Sequence, residues 1–150
     1  MKNFAIRVLD NNIIESYDMP CCIGEIQIGD FKETFEMPLE YWDIQTYRRQ
    51  WDEGLARIRT HDSTCLVAEI QDPTKMPRVS LWVLYKDIPA NVVYIQNRLL
   101  FGSMFTKILK HQPFTIDTCY NFIKDRKTVS VDGAKISEWH VPLDDLLDPK

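Results

Sequence analysis

Along the first forty residues apolar and polar positions tend to alternate, and from Tyr41 they recur at a helical spacing instead. In NFAIRVL, Phe4, Ile6 and Val8 alternate with Asn3, Ala5 and Arg7, the period of two that predicts a strand. CIGEIQIGDFKETFEM predicts a hairpin, with Ile23, Ile26 and Ile28 before the Gly29-Asp30 turn and Phe31, Thr34 and Phe35 after it. The alternation breaks near Gly24 and Glu33, which points to a bulge, and Pro38 closes the strand. Ile44, Tyr47, Trp51, Leu55 and Ile58 then follow at spacings of 3, 4, 4 and 3, so all five share one side of a helix running roughly from 40 to 60. Arg48 with Asp52, Arg49 with Glu53, and Glu53 with Arg57 are i,i+4 pairs on its other faces. Tyr47 and Trp51 therefore read as core, and Trp42, off the stripe, as a residue at the helix entry.

Beyond the helix, CLVAEI predicts a short, mostly apolar strand. RVSLWVLYK is apolar on both faces and reads as central to a sheet, with NVVYIQ returning antiparallel beside it after the turn DIPAN. RLLFGSMFTKILKH mixes signals because Gly102 and Ser103 interrupt a possible helix. TIDTCYNFIKDRK predicts a helix capped by Thr115 or Asp117, with Ile116, Cys119, Tyr120 and Ile123 on one face. TVSVDGAKIS predicts a hairpin on Asp132-Gly133, and EWHVPLDDLLDPK an acidic tail with one helical turn. Short turns between most strands favour an α+β fold over residues 1–150, one domain with a mostly antiparallel, mixed sheet packed by two main helices.

Composition changes this picture little and charge changes it more. At 45% hydrophobic and 27% charged residues, the chain has the make-up of an ordinary globular protein. No run approaches the roughly 20 apolar residues of a membrane span, and the N-terminal apolar stretch ends too soon, at Asp10, for a signal peptide. The expectation is a cytoplasmic protein that engages no membrane. Residues 1–45 carry nine acids against three bases, a charge of −6, while the remainder carries +2. Such a segment repels phosphate backbones and attracts basic surfaces, which argues against direct nucleic-acid binding.

Candidate chemistry is sparse. Cys21, Cys22, Cys65 and Cys119 contain no C-x-x-C pair, and Cys21 and Cys22 are neighbours, poor geometry for a disulfide. Four reduced, structural thiols are expected. His61, His111 and His140 lie far apart, and no G-x-S-x-G, Walker, Rossmann or H-E-x-x-H pattern occurs. No catalytic residue, cofactor or metal is assigned, and a binding protein is the natural reading. Two other readings remain open. One is a small enzyme whose site gathers His61, His140, Glu138 or the cysteines. The other is an RNA-binding module using Arg48, Arg49, Arg57 and Arg59 with Tyr47 and Trp51, although Asp43, Asp52 and Glu53 cancel most of that field.

The segments YRRQWDEGLARI, STCLVAEIQDP, SLWVLYKD, VYIQNRLL and CYNFIKDRK…VDGAKISEW resemble bacterial immunity proteins of contact-dependent growth inhibition and related polymorphic-toxin systems. The resemblance runs from about Tyr41 to Trp139; residues 1–40 and the acidic tail fall outside it. It implies a non-catalytic protein that holds a cognate toxin domain inactive. Toxins of these systems are often nucleases with basic clefts, including enzymes that cut transfer RNA. An acidic surface suits such a partner, and Glu15, Asp18, Glu25, Asp30, Glu33 and Glu36, with Asp144, Asp145 and Asp148, are the candidate partner-binding residues. Trp42 and Trp82 are further candidates as aromatic anchors, although the core is the simpler place for both.

Overall fold

The computed structural model describes residues 3–16 and 18–147. They form two antiparallel sheets. The first is a meander of β1 (Phe4–Ser16), β2 (Met19–Ile28) and β3 (Phe31–Pro38). The second has the order β4 (Ser63–Ile70), β5 (Arg78–Asp87), β6 (Val92–Phe101) and β7 (Trp139–Pro142). Between the sheets in sequence lies helix α1 (Ile44–Arg57); α2 (Gly102–Leu109) and α3 (Leu143–Leu147) follow β6 and β7. The single mixed sheet anticipated from the pattern is therefore two sheets, both purely antiparallel. None of the described helices is long and apolar enough to cross a membrane.

The β2–β3 hairpin turns on Gly29-Asp30, since Ile28 pairs directly with Phe31. Gly29 has φ +60°, which an L side chain rarely adopts. Strand β1 is longer than its alternation suggested, because register shifts between Val8 and Asp10 and between Asp10 and Ile14 carry it past the polar DNN.

Helix α1 starts at Asp43, whose carboxylate accepts from the Thr46 amide at 2.8 Å and the Thr46 hydroxyl at 2.7 Å. Tyr47, Trp51 and Ile58 are buried as the stripe required, but so is Gln50. The helix lies against the edge of β4, and Gln50 behaves as a substitute strand there. Its amide donates to the Cys65 carbonyl at 2.8 Å, and its side-chain carbonyl accepts from the Val67 amide at 2.7 Å. Trp51 Nε1 donates to the Val67 carbonyl at 2.8 Å, and the Tyr47 hydroxyl donates to Pro38 at 2.7 Å. A Cβ at Gly54 would stand 2.5 Å from the Cys65 carbonyl oxygen, so only glycine permits this approach. The edge is thereby satisfied by side chains instead of another strand.

One buried apolar cluster runs through both sheets. Between the sheets, Phe31 stacks on Trp139 with centroids 4.4 Å apart, Trp139 meets Trp82 at 5.8 Å, and Phe35 meets Trp51 edge-on at 6.3 Å. Phe105, Phe114 and Phe122 form a second aromatic group with separations of 5.0 to 6.4 Å. Phe122 lies beside Leu81 and Val83, on the opposite face of the second sheet from Trp82.

The later part of the chain departs from its pattern. The helix expected over TIDTCYNFIKDRK is a single 3-10 turn, Cys119–Phe122. Its N-cap position is Thr118, without a side-chain cap bond, and Thr115 instead accepts from the amides of Asp117 and Thr118 at 3.2 Å in the turn before it. From Ile123 the chain runs extended because the sheet holds its carbonyls: the Tyr85 hydroxyl donates to Lys124, and Gln96 donates to Lys127, both at 2.8 Å. The Asp132-Gly133 hairpin shrinks to one bridge between Val129 and Lys135. The ambiguous stretch from Asn97 resolves into the end of β6 and then α2, the change of direction falling at Gly102 with φ +87°.

Candidate functional site

The acidic positions of the first forty residues are distributed over several places. Glu25 faces Arg7 across β1 and β2 and pairs with it. Asp18, with φ +62°, and Asp30 are exposed at hairpin ends, and Glu15 is exposed near the end of β1. Asp144 and Asp145 lie on α3, where Asp144 accepts from Asn91 at 3.3 Å and Asp145 from Asn3 at 2.6 Å. Asp148 lies outside the described residues. The residues that do come together are Glu33 and Glu36 on β3, joined by Glu69 of β4, which the sequence pattern did not single out.

These three line a cleft of about 300 Å³ where β3 crosses the face of the second sheet, closed on the far side by Ser80, Trp82 and Asn97. A second depression, of about 540 Å³, continues from it past Glu36 and Glu69 to Met76 and Arg78. Two ion pairs occur among the described residues, Arg7–Glu25 and Arg126–Glu138, and neither includes a cleft carboxylate. Glu36 accepts from the Ser16 hydroxyl at 3.1 Å. Burial raises the Glu69 carboxyl above the usual range; Arg78 opposes this, and Glu36 and Glu33 reinforce it. Trp82 is 1% exposed, and its indole N–H has no acceptor among the described residues.

Strand register carries the surface further. Across β5 and β6, Ser80 faces Leu99, Trp82 faces Asn97 and Arg78 faces Phe101, so these six share one side of the sheet. Leu99 is 37% and Phe101 63% exposed, and Met76 on the other flank is 45% exposed. An acidic cleft thus lies beside apolar side chains open to solvent.

The residues of the other two readings are placed differently. Tyr47 and Trp51 are buried, and Trp42 and Trp82 also belong to the core. Arg57 lies over the Tyr120 ring at 4.0 Å, and Arg59 donates to the Leu147 carbonyl at 2.8 Å, so these cations face this chain's own groups. Glu138 is held by Arg126 at 2.7 and 2.8 Å and by Gln96 at 2.7 Å. That pairing, with Arg126 foremost, keeps its carboxyl below the usual range. His61 contacts the neighbouring Thr60 hydroxyl at 2.8 Å, and His140 is exposed on β7. All four cysteines are free and buried. Burial first, then Glu36 and Glu69, holds the Cys21 thiol above its ordinary value, the opposite of an activated nucleophile. Among the described residues no group of three or more His, Cys, Asp or Glu could hold a metal ion.

A profile of the family described as the CdiI N-terminal domain matches residues 37–148. The chain belongs to the CdiI family. It is 35% identical over 129 residues to the immunity protein CdiI of Enterobacter cloacae, covering 83% of this chain and 81% of that protein. It is also similar to a chain of the solved CdiA-CT/CdiI toxin and immunity complex from Enterobacter cloacae, with a TM-score of 0.81, 30% identity, and coverage of 97% of this chain and 94% of that one. Membership places the chain among immunity proteins and apart from enzymes. The structural likeness also takes in the N-terminal sheet, which the sequence resemblance left out.

Proposed function

We propose that this CdiI-family protein binds a cognate CdiA-CT-type toxin domain in the cytoplasm of the producing cell and holds it inactive. The observation that carries the reading is the likeness, across 97% of the chain, to a chain solved in a toxin and immunity complex. The partner is a nuclease with a basic substrate cleft, in this reading an enzyme that cuts RNA. It is met by acidic positions at several places on the surface: Glu33 and Glu36 on β3, Glu15, Asp18, Glu25 and Asp30 on β1, β2 and their turns, and Asp144, Asp145 and Asp148 on the C-terminal segment. The net charge of −6 over residues 1–45 supports this, because a negative face both attracts a phosphate-binding cleft and competes with its substrate. The whole chain acts as one binding domain, without cofactor, membrane or nucleic acid.

The test is co-expression with the toxin domain encoded beside it, followed by purification of the complex. Expected results are a stable one-to-one complex, growth of cells that the toxin alone arrests, and RNA left intact in vitro once the protein is added. A toxin that remains active and unbound in the presence of equimolar protein would end the proposal. DNA or protein cleavage by the released toxin would correct its nuclease class alone.

A further inference from the structure

Strand β1 is the outer strand of the first sheet, with β2 on one side and no strand on the other. Among the described residues its free edge takes no main-chain bond from another element, and Arg48 of α1 reaches the Asn11 side chain at 3.4 Å. Its middle is also released from β2. Val8 pairs with Gly24 and Ile14 with Cys21, so six steps along β1 answer three along β2, and Asn11 is the midpoint of the surplus. Asp10 shapes this bow by accepting from the Asn12 amide at 2.9 Å and from the Asn12 side chain at 3.2 Å. A bulge that only guards a free edge carries charge; this one carries Leu9, Ile13 and Ile14, at 38 to 65% exposure. The sequence is complementary to itself about the same midpoint. When RVLDNNIIE is set antiparallel to a second copy at Asn11, Arg7 meets Glu15, Val8 meets Ile14 and Leu9 meets Ile13, each pair twice. An axis at Asp10 would put Arg7 against Ile13 and Leu9 against Asn11, and one at Asn12 would put Leu9 against Glu15 and Asp10 against Ile14. Glu15 has no ion-pair partner among the described residues, and the Arg7 side chain stays 43% exposed beside Glu25.

We propose that β1 docks against β1 of a second copy of this chain, antiparallel about a two-fold axis at Asn11. Leu9 and Ile13 of the two copies cover one another, and an Arg7–Glu15 pair closes each end. Main-chain bonds form on the flanks of the bow, since Asp10 already holds the Asn12 amide. The contact also closes the one long strand edge that the first sheet leaves open at β1. Arg7 to Glu15 is nine residues a side, well short of the roughly 20–30 of a standard interface. The dimer is therefore weak and reversible, with a Kd of about 10–100 μM. Self-pairing calls for no toxin, so it stands or falls apart from the immunity reading.

The experiment is sedimentation velocity on the full chain without toxin, from about 5 to 500 μM, a span that brackets this affinity. The parent protein is expected to pass from monomer to dimer across it. Arg7→Glu and Glu15→Arg each set like charges opposite one another twice, and each should weaken the dimer tenfold or more. Mixed in equal amounts, the two variants should regain it, because position 7 of each then meets the opposite charge at position 15 of the other. A damaged fold could not produce that recovery. Ile13→Asp, which sets a carboxylate against Leu9, should also leave the protein monomeric, and nothing in the mixture should rescue it. A parent protein that stays monomeric at every concentration, a dimer indifferent to both charge reversals, or a mixture that fails to recover would each overturn the proposal. So would a monomeric parent whose binding of the toxin domain encoded beside it is weakened by Ile13→Asp, since the edge would then belong to the toxin.

Discussion

Burial is the main reason the Glu69 carboxyl sits above the ordinary glutamate value of 4.5; Arg78 pulls it back, and Glu36 and Glu33 push it the same way as burial. A carboxyl that holds its proton more tightly folded than unfolded makes the folded protein the more protonated state. Stability from this group therefore falls as pH rises from about 4.5 through the raised folded value, and the penalty is complete above it. Glu69→Gln removes the penalty. Its melting temperature should exceed that of the parent protein at pH 7.5, and the two should converge as pH is lowered towards 4.5. A variant that melts lower than the parent at pH 7.5 would show the charge to be structural. Glu33 and Glu36 could be nominated from sequence because they stand in an acidic run. Glu69 could not, since TCLVAEI presents it as the polar position of an apolar strand. Only the crossing of β3 over β4 brings the three together, and that crossing has no local signature.

Helix α1 shows the same limit one level up. The stripe from Ile44 to Ile58 correctly marked the helix and its core side, because a buried face repeats at the helical period whatever lies beneath it. Gln50 escaped notice because the helix sits on the edge of a sheet, where unpaired backbone groups require a polar side chain in a buried place. Gln50→Leu would leave the Cys65 carbonyl and the Val67 amide without their partners. At about 1–3 kcal/mol for each of the two orphaned groups, the loss should be about 2–6 kcal/mol, read from denaturant unfolding. Gln45→Leu, on the exposed side of the same helix, should change stability by less than about 0.5 kcal/mol. Equal effects at the two positions would remove the case for side-chain closure of the β4 edge. The strap after Phe122 misled the pattern for a related reason. Its apolar spacing suits a helix, yet Tyr85 and Gln96 draw its carbonyls onto the sheet, and contacts remote in sequence override local propensity.

At the scale of the whole molecule, charge acts in two ways that kinetics separates. Glu15, Asp18 and Asp30 are exposed, and the latter two stand at hairpin ends, where under the proposed function they would act through the long-range field alone. Glu36 and Glu69 are partly enclosed, so any effect of theirs on the partner would come through contact. Reversing Glu15, Asp18 and Asp30 together to lysine moves the formal charge from −4 to +2 without touching the cleft. Toxin association should then slow by about tenfold or more at low salt, and its dependence on ionic strength should flatten, because screening acts over a Debye length of about 10 Å at 0.1 M. Dissociation should hardly change. Glu36→Gln should do the reverse, leaving association near its parent rate and accelerating dissociation, since a partly enclosed charge bears on escape more than on encounter. Stopped-flow mixing across 20 to 500 mM salt distinguishes the two sets. Should the triple reversal associate at the parent rate at every salt concentration, the acidic N-terminal third does not steer.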